Sequence, residues 1–376
     1  MTTTATTTEQ VISGLEGVLA TESSICFIDG HAGVLEYRGY NIHDIAERVP
    51  FEDVVFLLWE ARLPDAAEAK TFRAELAALR APAGQVIDAL RLVPSSAHPM
   101  AALRAAVAML AACDPHQEAQ GRAANVLKAK RLTAQMATLV AAQHRLAQGL
   151  PLIPPDPARS HAEDLLRMLN GKDPDAESVQ ALDIVLNLYA EHELNASTFT
   201  ARVITGTLAD AYSAIIGAIG ALKGPLHGGA VDDVQRTLME IGSADRVRPW
   251  VEEALAAKRK VPGFGHRVYR VLDPRAVHLR AMMERLARAN GDTRWVDIAL
   301  ALQDELKQRK NLNANVDYYA APVLYYLGFP LNLFTSLITA SRIAGWMAHV
   351  LEQYDNNRLI RPRARYVGAH ELAFSR

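Results

Sequence analysis

Apolar residues recur at helical spacing along most of this 376-residue chain. Between residues 51 and 59, for example, Phe51, Val54 and Leu58 fall on one face of a helix. Residues 100–112, 131–147, 179–189 and 296–306 repeat the pattern. It predicts a chain that is mostly α-helical.

Strand patterns are confined to two short segments near the start. Residues 24–28 and 34–37 flank Asp29-Gly30, which predicts a small hairpin. Strands do not alternate with helices elsewhere in the sequence, which argues against a doubly wound α/β sheet. The predicted fold class is therefore all-α, with a small N-terminal β-hairpin.

An uncharged stretch over residues 318–341 is long enough to span a bilayer. Pro322 and the Gly328-Phe-Pro330 break should divide it into two shorter helices, and Asn332 interrupts the second. Buried core helices are therefore predicted, with no membrane association.

Composition changes along the chain indicate two domains. The proline cluster at residues 151–157 lies between two helical stretches and predicts a long surface loop. From Lys223-Gly-Pro onward, glycines and charges become frequent until about Lys310. We therefore expect a small helical domain over residues 222–321, inserted into a large one over 1–221 and 322–376.

The charge balance limits the classes of partner. Forty basic and 42 acidic residues give a formal net charge of -2, so no global field favours nucleic acid or an acidic membrane. The two cysteines form no disulfide framework and indicate a reducing compartment. The threonine-rich residues 1–8 lack the features of a signal peptide and should form a frayed tail. We therefore expect a cytoplasmic protein.

His227 lies in Gly-Pro-Leu-His-Gly-Gly at 224–229, just before a helix predicted over 230–241. The positive end of a helix dipole favours the neutral imidazole. A neutral imidazole can donate a hydrogen bond to an enolate oxygen. The alternative is a histidine that caps its own helix.

His266 ends the segment Val-Pro-Gly-Phe-Gly-His at 261–266, beside the densest run of lysine and arginine in the chain. Gly263-Phe-Gly265 does not complete a dinucleotide fingerprint, because Val268 occupies the place of the third glycine. The run is either a solvated basic face or a phosphate-binding site next to exposed backbone N–H groups.

Asp317 follows Asn-Ala-Asn-Val, where it could cap a helix or act as a base whose pKa is raised by burial. Arg275, Arg342 and Arg361 could pair with a dicarboxylate. His192 resembles the start of a zinc-binding helix, but the second histidine is missing, so no metal is expected. Two imidazoles and a carboxylate in turn segments predict carbon–carbon bond chemistry on small acids.

Taken together, these segments resemble the active-site motifs of citrate synthases. The motifs are Gly-Pro-Leu-His-Gly-Gly at 224–229, Pro-Gly-Phe-Gly-His-Arg-Val-Tyr at 262–269 with Asp-Pro-Arg at 273–275, and Asn-Val-Asp at 315–317. Further similar segments lie at 14–24, 36–41, 192–197, 341–346 and 358–362. The resemblance runs in order from about residue 14 to residue 368.

The resemblance implies a two-domain helical homodimer that closes over oxaloacetate before it binds acetyl-CoA. Asp317 would remove a methyl proton from acetyl-CoA, His227 would stabilise the enolate, and His266 would polarise the oxaloacetate carbonyl. No metal and no permanently bound cofactor is implied; the coenzyme A thioester is a substrate. Oxaloacetate would be bound by His192, Arg275, Arg342 and, from the partner subunit, Arg361. Coenzyme A would contact Val261, Gly263, Phe264, Gly265 and Lys310.

The sequence leaves the acyl group open. A 2-methylcitrate synthase would use propionyl-CoA with the same residues, and one methylene changes discrimination by only about 1–3 kcal/mol. Departures from common family residues at Ala314, at Ala320-Ala321 and at Val231-Asp232 bear on this choice. A helical CoA-binding protein without catalysis is a third possibility, but it should have lost some of the three proposed catalytic residues.

Overall fold

The computed structural model describes residues 11–374, so the predicted frayed tail at residues 1–8 lies outside it. The predicted all-α fold class is confirmed. The α-helices are α1 (Ile42–Ile45), α2 (Phe51–Glu60), α3 (Ala66–Ala78), α4 (Gly84–Arg91), α5 (Pro99–Cys113), α6 (Arg122–Ala147), α7 (His161–Asn170), α8 (Ala176–Tyr189), α9 (Ala196–Thr205), α10 (Ala211–Leu222), α11 (Ala230–Ile241), α12 (Val247–Ala256), α13 (Ala276–Asn290), α14 (Arg294–Lys310), α15 (Val316–Tyr326) and α16 (Phe334–Asp355). Short 3-10 helices cover Ser13–Leu15, Ala244–Arg246 and Leu331–Leu333.

Side-chain caps set several of the helix starts. Asp65 and Glu68 form a reciprocal capping box at α3, and the Asp175 and Asn195 side chains accept from backbone N–H groups at the starts of α8 and α9. The helix predicted over 179–189 therefore begins earlier, directly after the Asp175 cap.

The predicted hairpin is present as part of a three-stranded antiparallel sheet with strands β1 (Cys26–Asp29), β2 (Val34–Tyr37) and β3 (Tyr40–Asn41) in that order. Cys26 pairs with Tyr37, and Asp29 pairs with Val34. The first strand is shifted from the predicted 24–28, and the short third strand was not predicted.

Helix α16 forms the centre of the core, since every residue from Phe334 to Leu351 is buried. It packs against α2, α6, α8, α9 and α10. Within residues 11–374, no helix has the length and apolar character needed to cross a membrane.

The uncharged stretch does divide into two helices, but the break lies only at residues 327–333. Pro322 is inside α15, so the prediction that it interrupts a helix was wrong. Asn332 lies in the 3-10 turn before α16, not within that helix. The proline cluster at 151–157 lies in the irregular connection between α6 and α7, as predicted.

Helices α11 to α15 pack largely against one another and meet the remainder of the described chain mainly through α8 and α16, with a further contact between His278 of α13 and His43 of α1. The predicted boundary at residue 222 coincides with the end of α10. Helix α15 runs across the predicted boundary at 321–322. The division into two domains stays a prediction.

Candidate active site

His227 lies in the tight turn between α10 and α11. Its backbone N–H donates to the Gly224 carbonyl at 2.9 Å, and the Gly228 N–H donates to the Leu222 carbonyl at 3.0 Å. A Cβ at Gly228 would lie 2.3 Å from the Leu222 oxygen. Glycine is therefore needed to bring the turn this close to the end of α10.

The start of α9 fixes the orientation of the His227 ring. The Ser197 backbone N–H lies 3.4 Å from Nε2, and the Ser197 hydroxyl lies 2.8 Å from the same atom. The Trp346 indole N–H donates to that hydroxyl at 3.1 Å. The Ser197 hydroxyl also lies 2.7 Å from Asn195 Oδ1, so its one proton does not by itself fix the direction of its bond to His227. Because the Ser197 backbone N–H can only donate, we take Nε2 as the acceptor and assign the ring proton to Nδ1.

These contacts exclude the helix-capping alternative for His227. The N-cap of α11 is Gly229, and no side chain forms a capping hydrogen bond at this helix start. The His227 ring contacts Ser197 at the start of α9 instead. Burial, reinforced by the Arg342 guanidinium, lowers the pKa of His227 to about 4. The ring is therefore neutral at physiological pH.

His266 uses the opposite nitrogen as its acceptor. Its Nδ1 accepts hydrogen bonds from the backbone N–H groups of Val268 at 3.0 Å and Tyr269 at 3.2 Å. The ring proton is therefore assigned to Nε2. Burial, with a smaller contribution from Arg275, lowers the pKa of His266 to about 4.

His192 lies next to His266, with their ring centroids 5.3 Å apart. It is buried, and its Nε2 lies 3.2 Å from the Tyr269 hydroxyl. Burial and the nearby Arg275 and His266 hold the pKa of His192 well below its usual value. His192 is therefore neutral and packs against the rings of His266 and Tyr269.

A short antiparallel pairing joins the His266 segment to the Asp317 segment. Gly265 donates to the Asn313 carbonyl at 3.0 Å, and Asn315 donates to the Gly263 carbonyl at 2.9 Å. Gly263 has a φ of 80°, and a Cβ there would lie 2.8 Å from the Tyr318 ring. Gly265 and Asn315, 50 residues apart in sequence, are thus held side by side by backbone hydrogen bonds of their two segments.

Asp317 is the second residue of α15, and the N-cap is Asn315, whose Oδ1 accepts from the Asp317 N–H at 3.0 Å. The alternative that Asp317 caps this helix is therefore wrong. The Tyr189 hydroxyl donates to Asp317 Oδ1 at 2.7 Å. Burial raises the pKa of Asp317, against the opposing effects of the Tyr189 hydrogen bond and Arg275.

Arg275 is buried and forms a bidentate pair with Asp273, with Nε and Nη2 at 3.0 and 2.8 Å from the two carboxylate oxygens. Asp273 also accepts from the backbone N–H groups of Arg275 and Val316. Burial alone would lower the pKa of Arg275, but Asp273 and the surrounding groups raise it. The guanidinium is therefore held both charged and fixed.

Arg342 lies within the buried α16, and its Nε donates to the Tyr189 carbonyl at 2.6 Å. Within residues 11–374 it forms no salt bridge. Its positive charge lowers the pKa of both His227 and Asp317.

Two residues predicted to bind substrate do not lie near His227, His266 and Asp317. Arg361 is exposed in the irregular tail after α16 and forms no hydrogen bond or salt bridge with another described residue. Lys310 is exposed at the end of α14, and it is Lys307, one turn earlier, that donates to the Asn313 side chain at 2.8 Å. Both roles stay predictions.

Some of the basic residues near His266 are paired with acidic residues, and others are exposed. Arg259 is paired with Glu240 and stacks over the Trp250 ring, whereas Lys260 and Arg267 are exposed. Arg259 is therefore engaged within the protein, and for Lys260 and Arg267 both alternatives, a solvated face and a phosphate site, stay predictions.

Sequence reasoning missed Tyr189 and Tyr269, which contact Asp317 and His192. Tyr189 ends an amphipathic helix and has the spacing of a core residue, so the sequence carried no signal for it. Tyr269 was present in the quoted motif without a role. Among the described residues, no group of three or more His, Cys, Asp or Glu could hold a metal ion.

Similarity to known proteins identifies the family of this chain. Residues 14–363 match the family described as citrate synthase, C-terminal domain. The chain belongs to the citrate synthase family. It is therefore an enzyme of the transferase class, as predicted.

The similarity extends over nearly the whole chain. A citrate synthase of Haloferax volcanii is 45% identical, with 96% of this chain and 97% of that protein covered. A 2-methylcitrate synthase of Mycobacterium tuberculosis is 41% identical, with 95% and 90% covered. The structure of Thermoplasma acidophilum citrate synthase in a ternary complex with carboxymethyl coenzyme A and oxaloacetate has a TM-score of 0.92 and 33% identity, with 98% and 99% covered.

Proposed function

We propose that this member of the citrate synthase family condenses acetyl-CoA with oxaloacetate and water, giving citrate and coenzyme A. The observation that carries the proposal is the pairing of one carboxylate with two neutral imidazoles of opposite tautomer. Asp317 supplies a base, Nδ1–H of His227 one donor and Nε2–H of His266 another. Condensation of an enolate with a carbonyl needs one base and two such donors.

In the proposed first step, Asp317 takes a proton from the methyl group of acetyl-CoA. Nδ1–H of His227 donates to the thioester oxygen as negative charge develops there. The pKa of Asp317 is raised by burial, which brings its basicity closer to that of the developing enolate. Because His227 is neutral, it stabilises the oxygen by a hydrogen bond and keeps its ring proton.

In the second step, the enolate carbon attacks the keto carbon of oxaloacetate. Nε2–H of His266 donates to the carbonyl oxygen and passes its proton to the alkoxide as the carbon–carbon bond forms. The proton that Asp317 took from the methyl group then replaces the one lost from Nε2, so that both residues regain their starting protonation states. Water then hydrolyses the citryl-CoA thioester, releasing citrate and coenzyme A.

We infer that His192, Arg275 and Arg342 bind the two carboxylates of oxaloacetate, with Arg361 of the partner subunit. Buried arginines with fixed positions favour bidentate contacts to carboxylates. Support comes from two contacts. The Arg275 guanidinium lies 6.0 Å from the centre of the Tyr269 ring, which is 4.8 Å from the centre of the His266 ring. Arg342 donates to the carbonyl of Tyr189, whose hydroxyl donates to Asp317. This part of the proposal requires a homodimer.

For coenzyme A, we infer contacts with Val261, Gly263, Phe264 and Gly265, and a phosphate contact with Lys310. Gly263 and Gly265 both have positive φ, which turns the backbone sharply next to His266. A place in the tricarboxylic acid cycle and in the cytoplasm completes the proposal, supported by the family and by the free thiols of Cys26 and Cys113.

The test is coenzyme A release with oxaloacetate and either acetyl-CoA or propionyl-CoA, at matched concentrations. We expect a higher kcat/KM with acetyl-CoA. The 2-methylcitrate synthase alternative is favoured by the relative that is 41% identical, and it requires the opposite order. If coenzyme A is released from neither thioester, both the citrate synthase and the 2-methylcitrate synthase proposals are contradicted.

A further inference from the structure

The turn between β1 and β2 lies directly against the segment that follows His266. The Gly30 carbonyl accepts a hydrogen bond from the Arg270 N–H at 2.8 Å. A Cβ at Gly30 would lie 2.2 Å from the Val268 carbonyl oxygen and 2.8 Å from its carbon. Glycine is therefore required here by close backbone approach, since Gly30 does not have a positive φ.

The peptide unit between Val268 and Tyr269 connects this turn to His266. Its carbonyl oxygen faces Gly30, and its N–H, which belongs to Tyr269, donates to Nδ1 of His266. The two groups of a trans peptide point in opposite directions in one plane. Any rotation of this plane away from Gly30 therefore also moves the Tyr269 N–H, one of the two backbone donors, with the Val268 N–H, that make His266 Nδ1 an acceptor.

The turn itself is internally fixed. Asp29 Oδ1 accepts from the backbone N–H groups of His31 at 2.8 Å and Ala32 at 2.9 Å, and the Asp29 carbonyl accepts from Gly33 at 2.9 Å. A Cβ at Gly33 would lie 2.8 Å from the Val271 side chain, so the contact continues along the segment. A turn fixed in this way can hold its neighbour in place.

We propose that the turn at residues 29–33 is a positioning element for His266. It holds the Val268–Tyr269 peptide in the orientation that keeps Nδ1 of His266 as an acceptor and the proton on Nε2. Gly30 belongs to the predicted large domain and Val268 to the predicted small one, so the contact crosses the predicted boundary. The inference rests on the proposed function, because that function makes Nε2–H of His266 the donor.

The test compares Gly30→Ala with Gly84→Ala. Gly84, at the start of α4, also lacks a positive φ, but a Cβ there has nothing within 4 Å, so it controls for the added methyl group. Misplacement of a reacting group by about 1 Å costs on the order of 100-fold in rate. We expect Gly30→Ala to lower kcat by about 10–100-fold with a smaller change in the KM for oxaloacetate, and Gly84→Ala to match the parent enzyme.

The second readout is the tautomer of His266, measured by nitrogen NMR on protein with 15N-labelled histidine and assigned with His266→Gln. We expect the parent and Gly84→Ala to have an unprotonated Nδ1, and Gly30→Ala to have a mixture of tautomers. A folded Gly30→Ala protein with unchanged kcat and unchanged His266 signals would overturn the proposal. Lower thermal stability with both quantities unchanged would assign Gly30 a purely structural role and overturn it equally.

If Gly30→Ala does not fold, Asp29→Ala weakens the same turn without the backbone clash. It should shift the His266 signals in the same direction, and unchanged signals would count against the proposal. The two hypotheses are separable, because a parent enzyme that fails to condense the substrates refutes the proposed function while the tautomer measurement still tests the turn.

Discussion

Replacing Tyr189 with phenylalanine tests the role of Asp317 through its pKa. The Tyr189 hydroxyl donates to Asp317 Oδ1 at 2.7 Å, and this bond lowers the pKa of the carboxyl against the larger, upward effect of burial. Tyr189→Phe removes that donor and keeps the buried ring. The pKa of Asp317 should therefore rise further.

The structure sets the expected size of the change. A hydrogen bond to a charged group contributes about 1.5–3 kcal/mol, and about 1.4 kcal/mol corresponds to one pKa unit. Loss of the bond should therefore disfavour the deprotonated form of Asp317 by about 10–100-fold. Because Asp317 acts as a base only when deprotonated, the acidic limb of kcat/KM should move to higher pH.

The assay is the pH dependence of kcat/KM for acetyl-CoA at saturating oxaloacetate. Tyr212→Phe is the matched control, because its buried hydroxyl donates to Asp114 Oδ2 at 2.6 Å and contacts none of the three proposed catalytic residues. It should lose stability without moving the acidic limb. A folded Tyr189→Phe enzyme whose acidic limb coincides with that of the parent would refute the reasoning.

Asp317→Asn should retain the fold and oxaloacetate binding but lose condensation by about 10²–10⁴-fold; calorimetry and a coenzyme A release assay check both, and near-normal turnover would exclude Asp317 as the base. The buried His161, whose pKa is lowered to about 3 mainly by burial, stays neutral in the fold, so its contribution to stability is lost as pH falls below the unfolded value of 6.5. His161→Leu should therefore make the free energy of unfolding less sensitive to acid, by about 3 kcal/mol between pH 6.5 and 4; parallel curves in denaturant titrations would contradict this. Arg275→Ala and Arg361→Ala should each be nearly inactive, but refolding them together should restore substantial activity, because one site of a mixed dimer keeps both arginines. Verified mixed dimers without activity would exclude a shared site.

Local sequence patterns predicted the helix bounds well where the packing of the helix did not oppose the local preference. The helix over 230–241 has the predicted bounds, because a Gly-Gly turn precedes it and Gly242, with a φ of 79°, ends it. Pro322 was misjudged because burial in α15 outweighs one missing backbone hydrogen bond. A propensity rule alone cannot weigh that tertiary contribution.

The candidate site was predictable only as far as its turn motifs. Turn residues identified His227, His266 and Asp317, yet the sequence could not decide whether two of them were helix caps. That decision depended on long-range contacts, between His227 and Ser197 and between Asp317 and Tyr189. Residues 189 and 317 lie on different helices, so no local pattern could pair them.

The charges of the site bear on the proposed second subunit. Arg275 is already neutralised by its bidentate pair with Asp273, so it contributes donors and position more than free charge. Arg342 is the remaining buried guanidinium beside the proposed catalytic residues, and it forms no salt bridge within residues 11–374. Oxaloacetate carries two carboxylates, and desolvating both opposite one unpaired cation would leave a charge uncompensated. A further cation would offset that charge; we propose that it is Arg361 of the partner subunit, which the mixed-dimer experiment tests.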